Sequence, residues 1–316
     1  YLEGYLLDPR SQAGRQSGRE WQIIGADGQP KTWQGNQEQF MCPLASGWQT
    51  FLSQTLSHVA RDTGADAVYM DQYGFADSAK TCYASHHGHT PGIHPVLAEH
   101  SMLLIVRSRL QKNERPVALY LEQTPNDVSS QYADAAFDYS LSGDPIPGSP
   151  AKLNLFRFAF PSFKIVQLFH AGIDPRAASE EDAKLCFFYG EAMWLKGRAR
   201  SWFSRECREF IRRANKIFHD HEDVFASEDV EPMIPTQQAG LYANRFRSGT
   251  KTVITLYNAA YHSLQGLLLS VPAKKASAAL LWEGDRLEFR AVEDTLQVWG
   301  VLHPHAVSCF SIQSSE

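Results

Sequence analysis

Apolar positions follow two rhythms along the chain, and the rhythm changes once. Up to about residue 225, short continuous apolar runs alternate with stretches of helical period. Beyond Pro232 and Pro235 the runs are short, close-set and separated by turn residues. The clearest helix starts at Ser46, an N-cap candidate with Gln49 three residues on. Its apolar face is Trp48, Phe51, Leu52, Leu56, Val59 and Ala60, and Gly64 supplies the stop. Directly after it, Ala67-Val-Tyr-Met-Asp71 is an apolar run of strand length that closes on a carboxylate. A second helix is expected over 95–112, with Pro95 in its first turn and Val96, His100, Leu103, Leu104 and Leu110 inward. Strands follow at 116–123, ending at Glu122, at 135–140, with Asp138 and Tyr139 at its tip, and at 164–170, opening at His170. Two more helices are expected over 179–196 and 204–222, the second with a charged, solvated outer face. Tyr1 to Asp8 reads as one further strand. Residues 9–45 read as a long connection, in which Trp21, Trp33 and Phe40 pack part of the loop over a cleft.

Strands alternating with helices indicate a parallel sheet whose working face lies at the strand C-termini. The expected class is therefore α/β, of the (β/α)8-barrel type. The later rhythm predicts strands at 240–247, 250–257, 264–271, 278–282, 286–289 and 306–312, an antiparallel β-sandwich. These readings divide the chain into a catalytic barrel domain, 1–229, and a sandwich domain, 230–316.

Composition narrows the function classes. The 316 residues are 43% apolar and 21% charged, ordinary for a globular chain with a large core. A formal charge of −5 without a basic run argues against a nucleic-acid partner. No apolar stretch reaches membrane-spanning length and no signal peptide opens the chain, so no membrane partner is expected. Five cysteines are an odd count below disulfide-scaffold density, and they leave the compartment open. Aromatic residues, at 12%, are numerous enough to furnish sugar-stacking platforms as well as core.

The chemistry gathers at strand tips. Asp71 and Glu122 end consecutive strands, and on a barrel such tips face one mouth. Taken alone, Asp71 caps a helix or pairs with an arginine, and Glu122 pairs with Arg10 or Arg107. Together they match the apparatus of glycoside cleavage. Carboxyl groups about 5–5.5 Å apart give retention through a nucleophile, and about 6.5–9.5 Å gives inversion. Asp71 suits the nucleophile; Glu122, among Leu119, Tyr120 and Leu121, suits a desolvated proton donor. Tyr73, Asp138, Tyr139 and His170 are candidate substrate contacts around the same mouth. Cys82, His86, His87 and His89, with Cys42, invite a zinc reading, but their spacing lacks the paired regularity of compact sites. The three histidines are therefore assigned to a lid that hydrogen-bonds sugar hydroxyls, with no metal and no cofactor. A Cys42–Cys82 disulfide stays open. The competing functions are a metal-dependent hydrolase built on the Cys/His loop and a non-catalytic carbohydrate-binding barrel.

Cys42-Pro-Leu-Ala-Ser-Gly-Trp48, Val68-Tyr-Met-Asp-Gln-Tyr73 and Cys82-Tyr-Ala-Ser-His-His-Gly-His89 together resemble a bacterial family of glycoside-hydrolase-like barrels known mainly as a domain of unknown function. The resemblance runs over about residues 1–225 and implies a complete barrel. The first strands are then expected upstream of Tyr1, in an N-terminal portion of the same protein. An Asp on the fourth strand with a Glu on the fifth is, more distantly, similar to the α-amylase superfamily and the endo-α-N-acetylgalactosaminidases. That similarity implies a nucleophile at Asp71, an acid/base at Glu122 and a carbohydrate substrate. The amylase calcium and Arg-x-Asp signatures are absent, so it does not imply an α-glucan.

Overall fold

Short parallel strands with helices between them carry the first part of the chain, and antiparallel sheets the last. The computed structural model describes residues 2–33, 38–74, 76–123, 126–138, 155–170, 180–196, 203–273, 276–282 and 286–314. They fall into two units, Tyr1–Asp138 and Tyr139–Glu316.

The first unit runs β1 (Leu2–Glu3), β2 (Leu6–Leu7), α1 (Gln12–Trp21), β3 (Thr32–Trp33), β4 (Glu38–Phe40), α2 (Ser46–Thr63), β5 (Ala67–Asp71), α3 (Pro95–Leu110), β6 (Ala118–Leu121) and β7 (Ala135–Asp138). β1, β5, β6 and β7 form a parallel ladder in that order, with Glu3 opposite Asp71 and Met70 opposite Leu121. Met70, Leu119, Leu121 and Ala136 are sealed from solvent, as expected for strands covered on both faces. Helix α2 keeps its predicted span and stop: Gly64 takes φ 68° and returns its amide to Ala60 and Arg61. Its cap differs from the expectation. Ser46 is already helical, Ala45 is the N-cap without a side-chain bond, and Gln49 instead donates to the Pro43 carbonyl at 2.7 Å.

Three further expectations are corrected here. Tyr1 to Asp8 is not one strand; it breaks into β1 and β2, and β2 joins a separate small sheet of order β2-β4-β3. The connection 9–45 contains helix α1, capped by Ser11, which accepts from the Gly14 amide at 3.0 Å. Its buried face consists of Gly14 and Gly18, so it shows no apolar stripe. A Cβ on Gly14 falls 2.1 Å from the Asp8 carbonyl oxygen, and that close approach is why glycine stands there. Helix α3 buries Ala98, Glu99, Met102, Leu103, Val106 and Leu110, while Leu104 is 43% exposed. Its inner face is rotated from the predicted one and includes the Glu99 carboxylate.

The second unit contains α4 (Leu155–Ala159), β8 (Lys164–His170), α5 (Glu180–Tyr189), β9 (Ala192–Lys196), α6 (Arg205–Asp220), α7 (Glu222–Phe225), β10 (Asp229–Glu231), β11 (Leu241–Ser248), β12 (Lys251–Asn258), β13 (Leu264–Pro272), β14 (Ala276–Leu280), β15 (Arg286–Val292), β16 (Thr295–Leu302) and β17 (Val307–Ser314). The helix expected to reach residue 196 stops at Tyr189. Gly190, at φ 67°, turns the chain into β9, which pairs parallel with β8. The antiparallel part is two sheets, β10-β11-β12-β17-β14 and β13-β16-β15. The central strand of the second, β16, is missing from the sequence reading, where Gly300 interrupts its alternation. Ile254, Leu256, Phe310, Leu268 and Val298 fill the space between the sheets. Val253 and Tyr257, alternating with them on β12, face helices instead and share a core with Phe187, Phe188, Phe210 and Trp282. That core runs across residue 229.

Candidate active site

Every residue of the candidate site lies in the first unit. On β5, Tyr69 and Asp71 share a face, and the Tyr69 hydroxyl donates to Asp71 Oδ1 at 2.8 Å. Immediately after Asp71 the chain takes two left-handed steps, Gln72 at φ 62° and Gly74 at φ 99°. The first aims the Gln72 amide at Glu122, whose Oε2 accepts it at 2.6 Å. The second brings backbone against backbone: a Cβ on Gly74 meets the Gln123 oxygen at 2.2 Å. Gly4 N donates to the Asp71 carbonyl at 3.2 Å and Gln123 N to the Tyr73 carbonyl at 3.2 Å. The tips of β1, β5 and β6 are thus tied together by main-chain bonds.

A buried carboxylate braces this arrangement from behind. Glu99 on α3 is sealed from solvent and accepts from Tyr5 Oη at 3.0 Å, Gly74 N at 3.1 Å and Ala76 N at 3.3 Å. Burial pushes its pKa up against the pull of those donors. Lys80 donates to the Gln72 carbonyl at 3.1 Å and lies 4.2 Å from the Tyr5 ring centroid. Burial holds its pKa below the ordinary lysine value, against the neighbouring carboxylates.

Asp71, Gln72 and Glu122 line a cavity of about 390 Å³ with Glu3, Glu38 and Asp77; Leu6, Trp33 and Lys80 complete the wall. Glu3 has its pKa raised to about 8. Burial is the largest cause, followed by its hydrogen bond with Asp71 and the negative charges of Asp71, Glu38 and Glu122. One carboxyl of the group therefore keeps its proton at neutral pH.

Asp71 and Glu122 are brought together, as their neighbouring tips imply. The arginines considered as partners for Glu122 bond elsewhere: Arg10 to Asp8 at 3.2 Å and Arg107 to Asp134. Tyr73 is wholly buried, its ring 4.6 Å from that of Tyr5, and offers no surface to a ligand. Asp138 ends β7 and His170 ends β8, in the other unit. Tyr139 lies outside the described residues. His86, His87 and His89 do not line the cavity. His86 and His87 meet the Glu20 carbonyl at 3.1 and 2.7 Å, while His87 and His89 also reach the sulfurs of Cys82 and Cys42. Cys42 and Cys82 are both buried and unbridged in this structure. Sequence reasoning missed Glu3, Lys80 and Glu99. Only Trp33 carried a signal, as an aromatic residue stranded in a polar loop.

The chain is similar to known proteins in sequence over part of its length and in fold over nearly all of it. A family described as a domain of unknown function (DUF6259) matches residues 1–126. A protein of Bacteroides thetaiotaomicron, provisionally named a glycoside hydrolase, is 31% identical over 96 residues, which is 29% of this chain and 14% of that protein. The chain thus spans a small fraction of that relative's length. Among solved structures, a noncanonical maltogenic α-amylase from Thermotoga neapolitana superposes with a TM-score of 0.64 at 10% identity, covering 99% of this chain and 77% of the other. The α-amylase from Geobacillus thermoleovorans gives 0.62 at 11%, covering 100% and 77%. A debranching enzyme from Nostoc punctiforme gives 0.62 at 11%, covering 98% and 74%. At such identities the likeness is one of fold. The resemblance to glycoside-hydrolase-like barrels drawn from the sequence segments is borne out.

Proposed function

We propose that the chain belongs to a retaining glycoside hydrolase acting on an oligo- or polysaccharide, with Asp71 as nucleophile and Glu122 as acid/base. The observation that carries the reading is that both carboxylates, from adjacent parallel strand tips, line one cavity large enough for a sugar ring. The α-amylase-type fold and the glycoside-hydrolase name of the Bacteroides relative support it. The parallel strands then belong to an eightfold barrel. Residues 1–229 serve as its catalytic domain and 230–316 as the supporting sandwich.

In the first step an Asp71 oxygen attacks the anomeric carbon while Glu122 gives its proton to the departing glycosidic oxygen. The carbon–oxygen bond breaks and a glycosyl ester of Asp71 forms. Glu122, now a carboxylate, takes a proton from water, which attacks the same carbon and frees Asp71. The Tyr69 hydroxyl fixes the attacking carboxylate. Protonated Glu3 limits the repulsion among the acidic groups, and the remaining negative charge favours the oxocarbenium-like transition state. Trp33, 40% exposed at the cavity wall, supplies a stacking face for a sugar. Asp138 remains a proposed substrate contact at the end of β7.

The test uses the full-length protein on a panel of aryl glycosides. Asp71→Asn is expected to lower kcat by about 10³-fold or more. Glu122→Gln is expected to do the same on glycosides with poor leaving groups and much less on dinitrophenyl glycosides, which need no proton. Activity that survives both substitutions contradicts the reading, as does sugar binding by the parent protein without turnover of any glycoside.

A further inference from the structure

We propose that Cys42, Cys82, His87 and His89 hold one zinc ion in a closed site that fastens the 82–93 loop. The Cys42 Sγ lies 3.4 Å from His89 Nε2 and the Cys82 Sγ 3.5 Å from His87 Nδ1, and all four atoms lie within 4.8 Å of one another. Zinc bonds of about 2.3 Å to sulfur and 2.0–2.1 Å to nitrogen give a tetrahedron with a sulfur–nitrogen edge of about 3.5 Å. Both measured edges match it.

The imidazole orientations match as well. The other nitrogen of each ring, His87 Nε2 and His89 Nδ1, lies 2.7 Å from the Glu20 carbonyl and 2.9 Å from the Thr90 carbonyl. A carbonyl only accepts, so each of these nitrogens carries the proton, and the opposite one turns its lone pair toward the sulfurs. Outer hydrogen bonds of this kind fix the tautomer of metal-bound histidines. Gly88, at φ 76°, reverses the chain between the two rings so that both face inward. The cysteines are held by backbone: Cys42 N donates to the Trp21 carbonyl at 2.7 Å, and Cys82 O accepts from Gly92 N at 2.8 Å. Thiol–imidazole hydrogen bonds alone account for two contacts. They give no reason for both pairs to converge where Cys42 and Cys82 are 0% and 2% exposed.

Four protein ligands leave no open coordination position, so the ion is structural, and the metal-hydrolase reading of this loop loses its water site. None of the four residues lines the Asp71 cavity, and this inference stands whether or not that cavity cleaves glycosides. Binding displaces the thiol protons to the buffer as two thiolate–zinc bonds form.

The full-length protein, purified without chelator and analysed by plasma mass spectrometry, is expected to carry about one zinc per chain, falling below about 0.2 in Cys82→Ser and in His89→Ala. Cobalt exchanged into the parent protein is expected to show thiolate charge-transfer absorption and the visible bands of a tetrahedral ion. That readout holds even if the variants fail to fold. Chelation is expected to lower the thermal midpoint. Parent protein that retains no zinc after reconstitution and dialysis overturns the inference, as does an intact mass showing a Cys42–Cys82 disulfide.

Discussion

Glu3 sits opposite Asp71 across the β1–β5 ladder, and its raised pKa is a consequence of where the chain places it. Buried beside Asp71, it holds a proton that an unfolded chain releases near the ordinary 4.5, and keeps it up to about 8. The folded state therefore binds more protons than the unfolded state between those values. Its stability falls as pH rises through that window, and this contribution is flat below it. Replacing Glu3 by Gln removes the titration. Urea unfolding midpoints at pH 5 and pH 8 are expected to lie closer together in Glu3→Gln than in the parent. An unchanged difference contradicts the assignment. At this scale the sequence was partly legible. Asp71 and Glu122 announce themselves by ending apolar runs. Glu3 does not, because its strand is two residues long, and Glu99 hides as a charged position on the buried side of a helix.

Among the elements, α2 and β5 could be read because their signals are local: a 3.6-residue stripe, a glycine stop, then a strand-length run. The misses have equally physical causes. Helix α1 buries glycines, so it casts no hydrophobic pattern, and β9 is apolar enough to continue α5 on paper until Gly190 turns the chain. Two glycines separate turning from close packing. Gly64 has open space where a Cβ would sit, so Gly64→Ala costs only the left-handed strain, about 1 kcal/mol. Gly74→Ala pays that strain and also drives a methyl into the Gln123 carbonyl beside Glu122. It is expected to be the more destabilising change by thermal denaturation and to lower kcat, whereas Gly64→Ala leaves kcat within about twofold. Equal effects on kcat contradict the view that the Gly74 turn positions the cavity.

At the scale of the molecule, the sequence conveyed the change from parallel to antiparallel architecture near residue 230, because the spacing of apolar runs changes there. It did not convey that the helices before that point and the sheet after it share one core, through Phe187, Phe210, Phe246 and Trp282. Such contacts join residues far apart in sequence, and no local pattern reports them. The sequence raised Cys42 as a companion of the histidine loop, but the four-atom convergence with Cys82, His87 and His89 joins distant residues in the same way. The central claim, that Asp71 attacks the sugar, is tested most directly by covalent trapping. The full-length protein is treated with a fluorinated analogue of an aryl glycoside it hydrolyses, then digested and sequenced by mass spectrometry. The account predicts one sugar ester, carried on Asp71. A label on Glu122 or on any other residue contradicts it.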